Sequence, residues 1–82
     1  MNTNEIIDFL KKEIAIFLQK SPSSIDANIN FLKVGISSIN TLRILNKISK
    51  KLNIDINPVA MFEYTTIKTF SEYLYLLSIG DT

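Results

Sequence analysis

The stretch Gly35-Ile36-Ser37-Ser38-Ile39 holds the residue types and spacing that could do chemistry. A glycine permits a tight backbone turn. Two serines then stand where an apolar periodicity begins, which places a hydroxyl at the start of a helix. A helix start carries unpaired backbone N–H groups and the positive end of the macrodipole, so a phosphate attached there is well accommodated. Serine is also a preferred N-cap, and both serines can serve as caps alone. The residues by themselves leave the two roles open.

Little else in the 82 residues offers a reactive group, since Cys, His and Trp are all absent. The missing Cys excludes a disulfide scaffold and a thiolate nucleophile, and without Cys and His a zinc finger is unavailable. A Ser-His-Asp triad needs His. Only Asp, Glu, Lys, Ser and Tyr remain, on one small body, so composition favours a binding or carrier module over an enzyme. With 46% hydrophobic and 21% charged residues the chain folds rather than staying disordered, and its length allows a single domain over residues 1–82. A net charge of +1 falls short of the basic balance of a nucleic-acid binder. No apolar run approaches the ~20 residues of a membrane span. Met1-Asn2-Thr3-Asn4-Glu5 carries no basic segment leading into an apolar one, and the expected compartment is the cytoplasm.

Four helices are expected to position the serines. Ile6, Ile7, Leu10, Ile14, Phe17 and Leu18 recur at three- and four-residue steps, which predicts a helix over Glu5–Lys20. Asn2 or Asn4 can cap it, and Ser21-Pro22 stops it. Residues 21–36 form a long connection whose Ile25, Ile29, Phe31, Leu32, Val34 and Ile36 should lie against the core. Ser37 or Ser38 caps a second helix over Ile39–Leu52, with Lys50 and Lys51 in its last turn and Asn53 as a left-handed stop. A short third helix is expected over Val59–Tyr64 with Pro58 at its first position, and a fourth from Thr65 or Thr66 to about Ile79. The expected fold is all-α, a small four-helix bundle with a short third helix and a long first loop. Its expected core includes Leu10, Ile14, Phe17, Phe31, Leu42, Leu45, Ile48, Met61, Phe62, Tyr64, Phe70 and Leu74.

The motif and its flanks resemble the carrier proteins of fatty-acid, polyketide and nonribosomal-peptide synthesis. The family pattern is an apolar pair, Gly, any residue, Asp or His or Asn, then Ser, then Leu or Ile. Here it reads Phe31-Leu32, Gly35, Ile36, Ser37, Ser38, Ile39, with Ser37 in place of the Asp, His or Asn. The likeness extends through Thr41-Leu42-Arg43-Ile44-Leu45-Asn46-Lys47-Ile48, Leu52-Asn53-Ile54-Asp55-Ile56, Met61-Phe62-Glu63-Tyr64-Thr65-Thr66-Ile67 and Ser71-Glu72-Tyr73-Leu74, and covers about residues 5–77.

The resemblance implies a carrier and not a catalyst. Ser38 matches the serine that receives 4′-phosphopantetheine from coenzyme A, with Gly35 and Ser37 as its motif neighbours. A phosphopantetheinyl transferase would attach the arm using magnesium, and the arm's thiol would hold an acyl, aminoacyl or peptidyl group as a thioester. Further partners would be a loading enzyme, either an adenylation enzyme or an acyltransferase, and downstream synthase or tailoring enzymes. Nucleic acid and membrane are not expected partners, and the chain is expected to be a monomer. Ile39, Arg43 and Lys47 are candidates for docking those partners, and Met61 for touching cargo or partner. Carriers of dissociated fatty-acid synthesis are acidic on their second helix, whereas Arg43, Lys47, Lys50 and Lys51 make this one basic. The resemblance therefore points to a nonribosomal-peptide or polyketide pathway, with the peptidyl and polyketide subtypes both open. The alternative is an unmodified helical adaptor that keeps the carrier fold.

Overall fold

The computed structural model describes residues 1–30 and 33–80. Phe31 and Leu32, the apolar pair of the motif and one expected core position, lie outside the described residues. The elements among the described residues are α1 (Thr3–Leu18), a 3-10 turn (Pro22–Ser24), α2 (Ser38–Leu52), α3 (Ala60–Glu63) and α4 (Ile67–Ser78). This is the expected all-α bundle. The one pairing of strand type among the described residues is an isolated antiparallel bridge between Asn30 and Thr66.

Each helix starts and stops where its side chains dictate. Asn2 and Glu5 form a reciprocal capping box, each side chain accepting the other's backbone N–H at 2.8 Å, so α1 begins at Thr3 rather than Glu5. It ends at Leu18 because Gln19 takes a left-handed conformation with φ 55°. Asn53 ends α2 in the same way, as expected. Thr66, not Thr65, caps α4 through a box with Thr69. Pro58 does not open α3. It lies in a turn that begins at Asn57, whose side-chain oxygen accepts the Val59 N–H at 3.0 Å, and the helix proper starts at Ala60.

The core runs the length of α1 and α4 and takes one face of α2. Ile6, Leu10 and Ile14 from α1, Ile44, Leu45 and Ile48 from α2, and Ile67, Phe70 and Leu74 from α4 are buried together. Ala15 from α1, Ile25 from the long loop and Ala60 and Met61 from α3 complete the cluster. Phe17 and Tyr64 pack partly buried at its margin, Tyr64 stacking on Tyr73 with ring centroids 4.6 Å apart. The loop before α2 is held down as its apolar content required. Ile29, Val34 and Ile36 pack against the core, and the Lys68 N–H donates to the Ala27 carbonyl at 2.8 Å.

Two expected core residues face outward: Leu42 is 44% and Phe62 is 68% exposed. α3 is a single turn of four residues, and a turn turns only about half its residues inward. Ala60 and Met61 occupy that side and leave Phe62 in solvent. Leu42 shares the apolar spacing of α2, but it lies beyond the arc that Ile44, Leu45 and Ile48 fill, on the side where α3 is too short to cover it.

Candidate functional site

Gly35 has φ +90°, a left-handed backbone that favours glycine, and a Cβ there would meet no atom of the other described residues within 4 Å, its chain neighbours aside. The glycine is therefore required by the turn and not by crowding. The turn delivers Ser37 as the N-cap of α2 and Ser38 as its first helical residue. Their hydroxyls then diverge. Ser37 Oγ accepts the Asn40 N–H at 3.2 Å and satisfies one of the unpaired donors of the helix start. Ser38 is exposed, and its hydroxyl makes no hydrogen bond among the described residues.

Ser38 stands at the edge of an open cleft of about 330 Å³ between α2 and α3. The other walls are Ile36, Thr41, Leu42, Pro58, Met61 and Phe62, so the hydroxyl borders a mostly apolar surface. Behind the cleft, past Ile36, Thr41 and Met61, the interior is closed. The void bounded by Leu10, Ile14, Ile44, Leu45 and Phe70 measures only about 10 Å³. Met61 is thus a core residue, 5% exposed, that forms the partition between cleft and interior rather than an outward docking residue.

The expected docking residues of α2 part company. Ile39 is 65% exposed, and Arg43 is exposed with no ion pair among the described residues. Lys47 instead reaches back to α1, where its Nζ lies 3.2 Å from Glu13 Oε2. Sequence reasoning singled out neither Val59 nor the outward Phe62 as site residues. The asparagine-proline turn at Asn57-Pro58, which throws the following residues onto the surface, is the signal that could have found them.

A phosphopantetheine arm fits this geometry. It needs an accessible hydroxyl, room for a phosphodiester at a helix start, and a surface along which an apolar-to-polar chain can lie, and Ser38 meets all three. The comparisons agree with the fold. The family model described as "phosphopantetheine attachment site" matches residues 8–74. Polyketide synthase PksN of Bacillus subtilis (strain 168) is 31% identical over 71 residues, and PksL of the same organism 27% over 71 residues. Each match takes in 87% of this chain, but the chain spans only 1% of PksN and 2% of PksL. Among solved structures, a free-standing peptidyl carrier protein from an Acinetobacter baumannii secondary metabolic pathway aligns with TM-score 0.79 at 22% identity, covering 89% of this chain and 91% of its own. The HMG-ACPI domain of the CurA module from Lyngbya majuscula aligns with TM-score 0.78 at 27% identity, covering 99% of this chain and 83% of its own.

The chain belongs to the phosphopantetheine-attachment family of carrier proteins. Its cofactor is 4′-phosphopantetheine. Among the described residues no helix is long and apolar enough to cross a membrane.

Proposed function

We propose that Ser38 is the attachment residue, and that the chain is one carrier domain over residues 1–82 of a polyketide or nonribosomal-peptide pathway. The observation that carries this reading is the divergence of the two serines: Ser37 Oγ is spent on the Asn40 backbone N–H, while Ser38 Oγ makes no hydrogen bond among the described residues and stands at the mouth of the cleft. In the attachment step Ser38 Oγ bonds to the phosphorus of the phosphopantetheine group. The pyrophosphate bond of coenzyme A breaks, adenosine bisphosphate leaves, and the hydroxyl proton passes to a base of the phosphopantetheinyl transferase. When bound, the arm supplies a terminal thiol that holds an acyl, aminoacyl or peptidyl cargo as a thioester.

Everything else the chain contributes is placement. Gly35 sets the turn, Ser37 holds the helix start, and the bundle presents Ser38 outward. The chain itself performs no chemistry on the cargo. A loading enzyme, either an adenylation enzyme or an acyltransferase, and the downstream synthase or tailoring enzymes act on it in turn. The exposed Ile39 and Arg43 of α2 serve their docking. Lys47 pairs with Glu13 but stays 60% exposed, so it remains open to a partner docking on the same helix, while Met61 is buried and contributes through the fold. The carrier is a monomer of the cytoplasm, where coenzyme A and these enzymes meet.

Intact-mass measurement after incubation with coenzyme A, magnesium and a broad-specificity transferase tests the reading. The expected result is a gain of one phosphopantetheine, kept in Ser37→Ala and lost in Ser38→Ala. Loss in Ser37→Ala with retention in Ser38→Ala would move the site by one residue. Failure of every competent transferase on the wild type would leave an unmodified adaptor with the carrier fold.

A further inference from the structure

The charge of the segment around Ser38 is one-sided. From Ala27 to Ile54 the sequence holds no Asp or Glu, while Lys33, Arg43, Lys47, Lys50 and Lys51 all fall inside that stretch. The cations of α2 lie beyond its first turn, and Lys50 and Lys51 stand in the last one, where they complement the negative end of the macrodipole. The positive end has no such complement. The N-cap Ser37 and the first turn, Ser38-Ile39-Asn40-Thr41, are all neutral. Among the described residues one carboxylate reaches α2 from outside, Glu13 at 3.2 Å from Lys47 Nζ, and Lys47 lies roughly 13 Å further along the helix than Ser38. That separation exceeds the screening length of about 8 Å at physiological salt. Two hydrogen bonds close the helix start: the Asn40 N–H donates to Ser37 Oγ at 3.2 Å and the Thr41 N–H to the Ser37 carbonyl at 2.9 Å. The N–H groups of Ser38 and Ile39 have no partner among the described residues.

We propose that α2 is completed by the anion its own serine acquires: the phosphodiester attached to Ser38 supplies the negative charge that the helix start lacks, and the arm-bearing chain is the more stable and better ordered form. This rests on Ser38 as the attachment residue. The anion is present in the folded and in the unfolded modified chain, but only a formed helix offers it aligned dipoles and open N–H groups. The difference adds to the stability of the fold. Ser37 decides its size. An Asp at that position, which the family pattern allows, would already charge the helix start, and a phosphodiester beside it would meet a like charge. With Ser37 the first negative charge to arrive is that of the arm. Attachment is then also a conformational step, because the end of α2 that bears Ser38 and the exposed Ile39 tightens only when the arm is on.

The test compares the unmodified and arm-bearing whole chains, prepared with a broad-specificity transferase and verified by intact mass. Thermal unfolding at low and high salt and amide hydrogen exchange are the readouts. At low salt the arm is expected to raise the melting temperature by roughly 2–6 °C. Exchange of the Asn40 and Thr41 N–H groups should slow roughly two- to fivefold. The gain should largely vanish near 1 M salt, where the screening length falls to about 3 Å. In Ser37→Asp the same modification should raise the melting temperature by much less, because the helix start is already charged. Ser38→Asp against Ser38→Asn repeats the comparison without arm or transferase, and the Asp variant should melt higher at low salt only. An arm-bearing wild type that melts with or below the unmodified chain overturns the proposal. A gain that high salt leaves intact also overturns it, since the body of the arm on the apolar cleft would then be its source. An equal gain in Ser37→Asp, or equal melting of Ser38→Asp and Ser38→Asn, does the same. In each of these cases arm addition at Ser38 still stands. If no transferase adds the arm to the wild type, the attachment reading fails and takes this proposal with it.

Discussion

Ser37 Oγ lies 3.2 Å from the Asn40 backbone nitrogen, so the serine next to the attachment candidate holds the start of α2 in place. Removing an N-cap of this kind costs about 0.5–2 kcal/mol. Ser37→Ala is therefore expected to lower the unfolding free energy measured by chemical denaturation by that amount and still accept the arm. A variant that keeps full stability and loses arm addition would show that Ser37 acts on the transferase reaction and not on the helix.

Gly35 gives the turn its shape through backbone conformation alone. At φ +90° a side chain is strained even in open space, and among the described residues no atom beyond the chain neighbours would touch the added Cβ. Left-handed geometry costs a non-glycine residue about 1–2 kcal/mol. Gly35→Ala should thus destabilise by roughly that amount, and enlarging the side chain further to Ser should add little. A steep dependence on side-chain size would point to a crowded turn instead.

Leu42 and Leu45 stand three residues apart on one helix and differ in what they support. Leu45 is buried against α1 and α4 residues, whereas Leu42 lines the open cleft. Truncating a buried Leu costs about 2–5 kcal/mol, against a total of about 5–10 kcal/mol for a domain this small. Leu45→Ala should bring the chain near unfolding at moderate temperature. Leu42→Ala should leave the melting temperature almost unchanged and alter only reactions with partners. Equal losses in both would mean that the cleft closes over Leu42 in solution.

Ser71 is fully buried on α4, and its hydroxyl has no hydrogen-bond partner among the described residues. An unsatisfied buried hydroxyl costs about 1–3 kcal/mol, and Ala is the better helix former. Ser71→Ala is expected to raise stability by about 1 kcal/mol. Thermal and chemical denaturation of the two proteins measure it, and a loss of stability would reveal a hydrogen bond made by that hydroxyl.

The helices were legible because their apolar steps are long and regular. Ile6 to Leu18, Ile44 to Ile48 and Ile67 to Leu74 could form nothing else, and the glycine with its two serines marked the chemical end of the bundle. The errors fell where periodicity loses its meaning. Four residues of α3 make too short a window to say which side is inward, so Phe62 read as core. Leu42 read as core because an apolar residue spaced three from Leu45 is buried only if a neighbour covers it, and coverage is a property of the opposite element. The tasks of the α2 lysines were hidden for the same reason. Lys47 and Lys50 look alike in sequence, and only the approach of Glu13 on α1 separates them.

The closed interior behind Met61 has a thermodynamic consequence. A void of about 10 Å³ holds a single water at best, so nothing carried on Ser38 enters the core without first prising it apart. Melting behaviour responds only to what the native state binds and the denatured chain does not. A passenger riding outside the bundle gives no such linkage. The arm-bearing form should melt at the same temperature in a calorimeter with and without its cargo. The freight leaves no mark on the vehicle, and a thermal-shift screen for the natural cargo would return silence from the right compound as from the wrong ones.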